Sequence, residues 1–278
     1  MLQPEKPYMK AFLIILISSA LMLGCGNNKA TEEFEVNIDV KNELAHLQDV
    51  TIFFGHQSVG SNILDGVDDL LERSGLSGSF PITALEQDQN QSESFIIHSP
   101  IGKNQDPISK CDDFYQKMHE GLGERVDMAL FKFCYIDIHE HTDIEAIFKY
   151  YQSVMTKLKK EFPSVKFIHA TVPLRTSPDN LGVKLREFMG RENRSKLANI
   201  KRNEFNALLT EHFNQDSIFD IARWQSSHYD GRIDFFRIKG RKYYRLIEEY
   251  TDDGGHLNAR GREWVAAHFI RVLAEAAQ

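Results

Sequence analysis

The chain has 278 residues, 42% of them hydrophobic and 26% charged, with a formal net charge of -7. That length holds one large domain or two small ones, and the composition is globular apart from the N-terminus. The acidic balance argues against a nucleic-acid partner, which would require a concentrated basic surface to neutralise phosphates.

At the N-terminus, Lys6 and Lys10 precede an uncharged apolar run over residues 11–23. The run is shorter than the ~20 residues of a bilayer span and has the form of a secretory signal core. It ends in Leu21-Met-Leu-Gly-Cys25, which resembles a bacterial lipobox. The resemblance implies loss of residues 1–24, lipidation of Cys25 and a membrane partner held through its acyl chains, each CH₂ contributing ~0.8 kcal/mol. Cys25 is followed by Gly-Asn-Asn with no aspartate, which by the same resemblance favours the outer membrane. The expected location is therefore the bacterial cell envelope, at the outer membrane or its periplasmic face. Residues 25–44 are polar and acidic and are expected to form a tether, leaving 45–278 as one domain. An oxidising compartment permits a disulfide between Cys111 and Cys134. Cys134 lies in an apolar strand-like run, and a buried free thiol is expected there.

Residues 50–54 form a short apolar run rich in β-formers that stops at Gly55. Residues 62–73 carry Ile63, Leu64, Val67, Leu70 and Leu71 at helical spacing. A weak strand follows at 81–85, a helix at 109–122 and a buried strand at 127–134. The pattern then predicts a helix over 143–162, a strand over 165–172 stopped by Pro173, and a helix over 194–213. A short strand over 217–222 and a closing helix over 260–277 complete the domain. Strand–helix alternation of this kind implies a mostly parallel sheet of about five strands covered on both faces, with ligands at the strand carboxyl ends.

Two places carry chemistry. After the first strand comes Gly55-His-Gln-Ser58-Val-Gly60, where Ser58 can cap a helix or act as a nucleophile beside free backbone N–H groups. Near the other end is Asp253-Gly-Gly-His256-Leu-Asn258-Ala-Arg-Gly261. A carboxylate and an imidazole three residues apart across two glycines can bond, which fixes the tautomer and supports the imidazolium. The same stretch can also be a turn capping the last helix through Asn258.

The segment Asp253-Gly-Gly-His256-Leu-Asn-Ala-Arg-Gly261 is similar to the final block of the SGNH/GDSL hydrolase superfamily, which supplies acid and base as D-x-x-H. The resemblance extends over the domain, with Ser58 at the family's nucleophile position in a Gly-His-Gln-Ser rather than Gly-Asp-Ser setting. It implies a flavodoxin-like three-layer α/β/α sandwich and a triad of Ser58, His256 and Asp253. It also implies an oxyanion hole built from the N–H groups of Ser58 and Gly102. The family's Gly-x-Asn-Asp block is replaced by Phe133-Cys-Tyr-Ile-Asp137, so the third donor falls to Asn104 or to the Tyr135 hydroxyl, with Asn104 preferred. His56, Gln57, Tyr135 and Asp137 are candidate pocket residues.

His139-Glu-His141 is too closely spaced and lacks a third ligand, so no metal is expected, and no organic cofactor is required. Residues 232–250 mix six Arg or Lys with aromatics, as either a packed loop with a solvated basic face or a rim for sugars or anions. The expected activity is ester hydrolysis through an acyl-enzyme, on a small-molecule or glycan ester or a lipid. An acyltransferase using the same residues, or a degenerate domain that binds glycan without turnover, are the alternatives.

Overall fold

The apolar run after residue 50 becomes β1 (Ile52–His56), a fully buried strand at the middle of the sheet. This computed structural model describes residues 39–88, 95–178 and 181–278; the expected signal segment and Cys25 lie outside the described residues. Parallel neighbours flank β1 on both sides. Sheet order is β2-β3-β1-β4-β5-β6, with β2 at Ile82–Ala84, β3 at Ile96–Pro100, β4 at Met128–Phe131, β5 at Lys166–Ala170 and β6 at Ile218–Phe219. Every pairing in it is parallel.

The strands alternate their side chains between two cores, as the period-2 geometry of a strand requires. Ile52, Phe54, Leu130 and Ile168 pack on α2 (Ser58–Arg73) and α8 (Ala259–Ala277). Phe53, Ala129, Phe131 and Phe167 pack on α3 (Pro107–His119), α4 (Ile144–Glu161) and α6 (Arg194–His212). The result is the expected three-layer α/β/α sandwich with a parallel sheet, here of six strands.

The sixth strand is β3. Its pattern, Ile-Ile-His-Ser-Pro, puts only two apolar residues in sequence before polar ones, and its stability comes from pairing on both edges with β1 and β2. The predicted strand at 217–222 also splits. Only Ile218 and Phe219 pair, and Asp220 then caps α7 (Ile221–Ser226) by accepting from the Arg223 N–H. Residues 40–45, within the stretch expected to be a tether, form α1 (Val40–Ala45), with Val40 buried and Glu43 paired to Arg271 at 3.5 Å on α8. Two further elements were not anticipated, an eight-residue helix α5 (Leu181–Phe188) and an antiparallel hairpin, β7 (Phe235–Ile238) with β8 (Arg241–Tyr244). Cys111 and Cys134 are both free and buried.

Candidate active site

Ser58 is the first residue of α2, directly beyond the carboxyl end of β1. Gln57, in extended conformation, holds the cap position and makes no side-chain cap bond. The Ser58 hydroxyl does not turn back to cap the helix. Its Oγ lies 3.0 Å from Nε2 of His256. As a first-turn residue, Ser58 also has a backbone N–H with no acceptor inside the helix, at the end where the helix dipole is positive.

His256 is set by the turn before α8. Gly254 adopts φ of 80°, a left-handed conformation that favours glycine, and lets the chain double back. Asp253 Oδ1 then accepts from the N–H groups of Gly255 and His256, each at 2.8 Å. Its Oδ2 meets His256 Nδ1 at 2.5 Å. The bond to His256, joined by the two N–H groups, holds the Asp253 carboxyl well below the usual carboxylate range. An ionised Asp253 accepts a hydrogen bond from Nδ1–H, which fixes that tautomer and leaves the Nε2 lone pair facing Ser58. The capping reading of the same stretch is realised as well: Asn258 Oδ1 accepts from Gly261 N–H at 3.0 Å. The two roles use different residues of one turn and do not compete.

Three neighbours keep the turn in place. Leu257 N–H donates to Asn62 Oδ1 of α2 at 3.2 Å, which ties the residue after His256 to the helix that carries Ser58. Arg175, beyond the end of β5, donates from Nε to the Gly254 carbonyl at 3.2 Å and from a terminal nitrogen to the Asp253 carbonyl at 3.3 Å. Thr176 N–H donates to the Gly254 carbonyl at 3.0 Å. Neither Asn62 nor Arg175 was singled out from sequence; the one available signal is that Arg175 follows a strand end, in Thr-Val-Pro-Leu-Arg.

Tyr135 sits at the same centre. Its hydroxyl is 3.5 Å from His256 Nε2 and its ring meets the imidazole edge-on. The Arg175 guanidinium covers the ring at 5.2 Å, and the buried Arg202 donates to the Tyr135 carbonyl at 2.8 Å. Burial raises the phenol's pKa above its ordinary value, so at neutral pH it is a proton donor.

Other expected site residues fall elsewhere. The Gly102 N–H donates to Asp113 Oδ2 on α3 at 2.8 Å, so its single donor is already engaged and is not aimed at Ser58. Asn104 turns its Oδ1 to Lys110 Nζ at 3.1 Å, and no contact among the described residues joins it to Ser58 or His256. Asp137 is not a pocket residue. Its buried carboxylate pairs with the buried Lys110 at 2.5 Å and accepts from the Cys134 and Gln105 N–H groups at 2.6 and 2.8 Å. It fastens the loop after β4 to the loop before α3. Gln57 donates to the Ile101 and Gly102 carbonyls at 2.9 and 3.2 Å. His56 is buried against His98, Nε2 to Nδ1 at 3.0 Å, and burial with the nearby Lys132 lowers its pKa to about 3. This neutral imidazole, at the end of β1, is buried and engaged with His98 and the Gln57 carbonyl.

The centre is open. The His256 and Asp253 side chains are 41% and 54% exposed. Among the described residues, no group of three or more His, Cys, Asp or Glu side chains is placed to hold a metal ion.

No family model matches the chain, and no curated protein matches it. Among solved structures it is similar to a “putative GDSL-like lipase” from Parabacteroides merdae, at 14% identity over 83% of this chain and 97% of that one, with a TM-score of 0.45. It is also similar to a “putative lipolytic protein of G-D-S-L family” from Desulfitobacterium hafniense, at 10% identity over 80% and 99% of the two chains, TM-score 0.43. A third is a “putative platelet activating factor” from Streptococcus pneumonia, at 13% identity over 82% and 89%, TM-score 0.44.

Proposed function

We propose that this protein is a serine ester hydrolase. The observation that carries the reading is the continuous relay from Ser58 Oγ through both nitrogens of His256 to the Asp253 carboxylate, at 3.0 and 2.5 Å. His256 Nε2 removes the Ser58 proton as Oγ attacks the ester carbonyl. The tetrahedral intermediate collapses, His256 returns the proton to the leaving alcohol, and the acyl group stays on Ser58. Water, deprotonated by the same nitrogen, then releases the acid.

The negative charge that develops on the carbonyl oxygen requires donors fixed in advance. The Ser58 N–H is one, at the positive end of α2. The Tyr135 hydroxyl is the second, because it faces the same nitrogen that Ser58 faces and is protonated at neutral pH. It takes the place expected for Gly102, whose N–H is committed to Asp113 on α3, and for Asn104, whose Oδ1 meets Lys110 on α3. Asp253 and Arg175 act by holding the imidazole and its turn.

An open centre suits an ester carried on a larger body, such as an acylated glycan or a lipid, better than one enclosed in a pocket. Lipidation at Cys25 and residence in the cell envelope belong to the same proposal and rest on the lipobox-like sequence; Cys25→Ala should release the protein from membranes. For the activity, the test is hydrolysis of short-chain p-nitrophenyl esters. Ser58→Ala should lower the rate by at least about 10³. Hydrolysis that survives the substitution would remove Ser58 as nucleophile, and ligand binding with no turnover in the parent chain would identify a binding module instead.

A further inference from the structure

We propose that the face formed by α5, the α5–α6 junction and the β7–β8 hairpin docks on an anionic lipid surface. This goes beyond the ester-hydrolase reading and does not depend on it.

The first observation is apolar exposure. Leu181, Leu185, Phe188 and Met189 are 87%, 59%, 89% and 59% exposed. Their spacing places them along one side of α5 and its end. A soluble chain leaves single large apolar residues in water without consequence, but four in a row on one helical side form a patch that calls for a partner.

The second observation is charge. From Phe235 to Arg245 the hairpin carries Arg237, Lys239, Arg241, Lys242 and Arg245 and no acidic residue, in a chain whose net charge is -7. Arg245 is paired with Asp234 at 2.9 Å. Arg237, Lys239, Arg241 and Lys242 are exposed and have no carboxylate partner among the described residues. A protein that is acidic overall has therefore concentrated unneutralised cations on one projecting ribbon.

The third observation is that the two features adjoin. Met189 leads into Gly190 and Arg191, which with Glu192, Lys196 and Ile238 of β7 are among the residues that line a cavity of about 300 Å³ between the junction and the hairpin; the two cations there outnumber the one carboxylate. Lys196 also lies 5.6 Å from the Phe236 ring centroid. An apolar helical stripe bordered by basic residues is the pattern of an interfacial element, with the apolar side ~5–10 Å into the headgroup region and the cations at anionic headgroups. The net negative charge of the chain disfavours non-specific contact with such a surface, which makes a local basic and apolar face the feature that would bring it there.

The same face is tied to the candidate site. Arg245 donates to the Ser177 carbonyl at 2.6 Å and Leu246 N–H to the Arg175 carbonyl at 3.2 Å, and Arg175 holds the Asp253–His256 turn.

The test uses the full chain with Phe188→Trp, against the parent with its two native tryptophans, and vesicles whose acyl chains are brominated. On phosphatidylglycerol vesicles the introduced indole should shift to the blue and lose emission by contact with bromine. On phosphatidylcholine vesicles both changes should be much smaller, which separates docking by this face from attachment through the N-terminus. Adding Arg241→Glu and Lys242→Glu should reduce both changes on the anionic vesicles. Hydrogen exchange on the unsubstituted chain gives the same reading without a variant: residues 181–191 should gain protection on anionic vesicles only. Equal responses on the two lipids would overturn the proposal. So would emission already blue-shifted before lipid is added, which means a protein segment covers the stripe, or a shift that grows with protein concentration alone, which means a second copy does. None of these readouts involves turnover, so failure here leaves the ester-hydrolase reading untouched, and an inactive Ser58 leaves this one untouched.

Discussion

At Gly255 a single methyl group would reach the candidate site. A β-carbon there would lie 2.8 Å from Tyr135 Cζ and 3.0 Å from its hydroxyl oxygen, inside van der Waals contact. The absence of that carbon is what lets the phenol stand beside His256. If Tyr135 donates to the oxyanion, Tyr135→Phe should lower kcat by about 10²–10³, with KM little changed. Gly255→Ala should move the ring and lower kcat in the same direction. Steady-state kinetics on a p-nitrophenyl ester checks both, and an unchanged kcat in the two variants would take Tyr135 out of the hole. At this scale the acid and base were legible in the sequence, because the Asp253–His256 bond is made within four consecutive residues. The oxyanion donors were not. Whether Gly102 N–H faces Ser58 or Asp113 depends on where α3 packs, and no local pattern records that.

Among the elements, the connection between the loop before α3 and the loop after β4 rests on Asp137. Its partner Lys110 is fully buried, and two backbone N–H groups share the carboxylate. Removing one member of a buried ion pair leaves an uncompensated charge in low dielectric and costs about 3–5 kcal/mol. Asp137→Ala should therefore shift the denaturation midpoint strongly, whereas replacing a pocket residue would alter KM and leave the midpoint in place. Urea unfolding followed by circular dichroism distinguishes the two. Legibility among the elements followed the strength of their periodicity. The helices beginning near residues 143, 194 and 260 fall within two residues of expectation, since each carries a buried stripe and a polar cap at its start. The strand β3 was missed because tertiary pairing, not its own composition, makes it a strand. The helix α5 was missed because its apolar side is exposed and so does not belong to the core pattern that marked the others. The composition of 232–250 fits a packed loop or a recognition rim, and the segment contains a hairpin whose inner residues Phe236 and Tyr243 are buried while its cations face outward.

For the whole molecule, α8 joins the candidate site to the core, and it carries the buried His268. The imidazole stacks on Trp224 with ring centroids 3.4 Å apart and meets Trp264 edge-on, and neither of its nitrogens has a hydrogen-bond partner among the described residues. Burial, with Arg271 and Arg223 nearby, lowers its pKa from 6.5 to about 3. The unfolded chain thus takes up the proton before the native one does. Stability from this group is complete above pH 6.5 and is lost as pH falls from there toward 3, with a slope of up to about 1.4 kcal/mol per pH unit. His56 acts in the same direction, with its pKa also lowered to about 3. Urea midpoints at pH 7 and pH 5 should therefore differ, and His268→Phe, which keeps the aromatic stack, should narrow the difference. An unchanged pH dependence in that variant would assign the acid sensitivity to other groups.

The central claim concerns Ser58, and covalent capture tests it most directly. A fluorophosphonate reacts with a serine whose proton is taken by an adjacent base, and mass mapping identifies the residue that carries the adduct. The relay from Ser58 Oγ to His256 at 3.0 Å predicts one modified residue, Ser58, with labelling lost in His256→Ala. A folded chain that takes no label, or a label on any other serine, would contradict it.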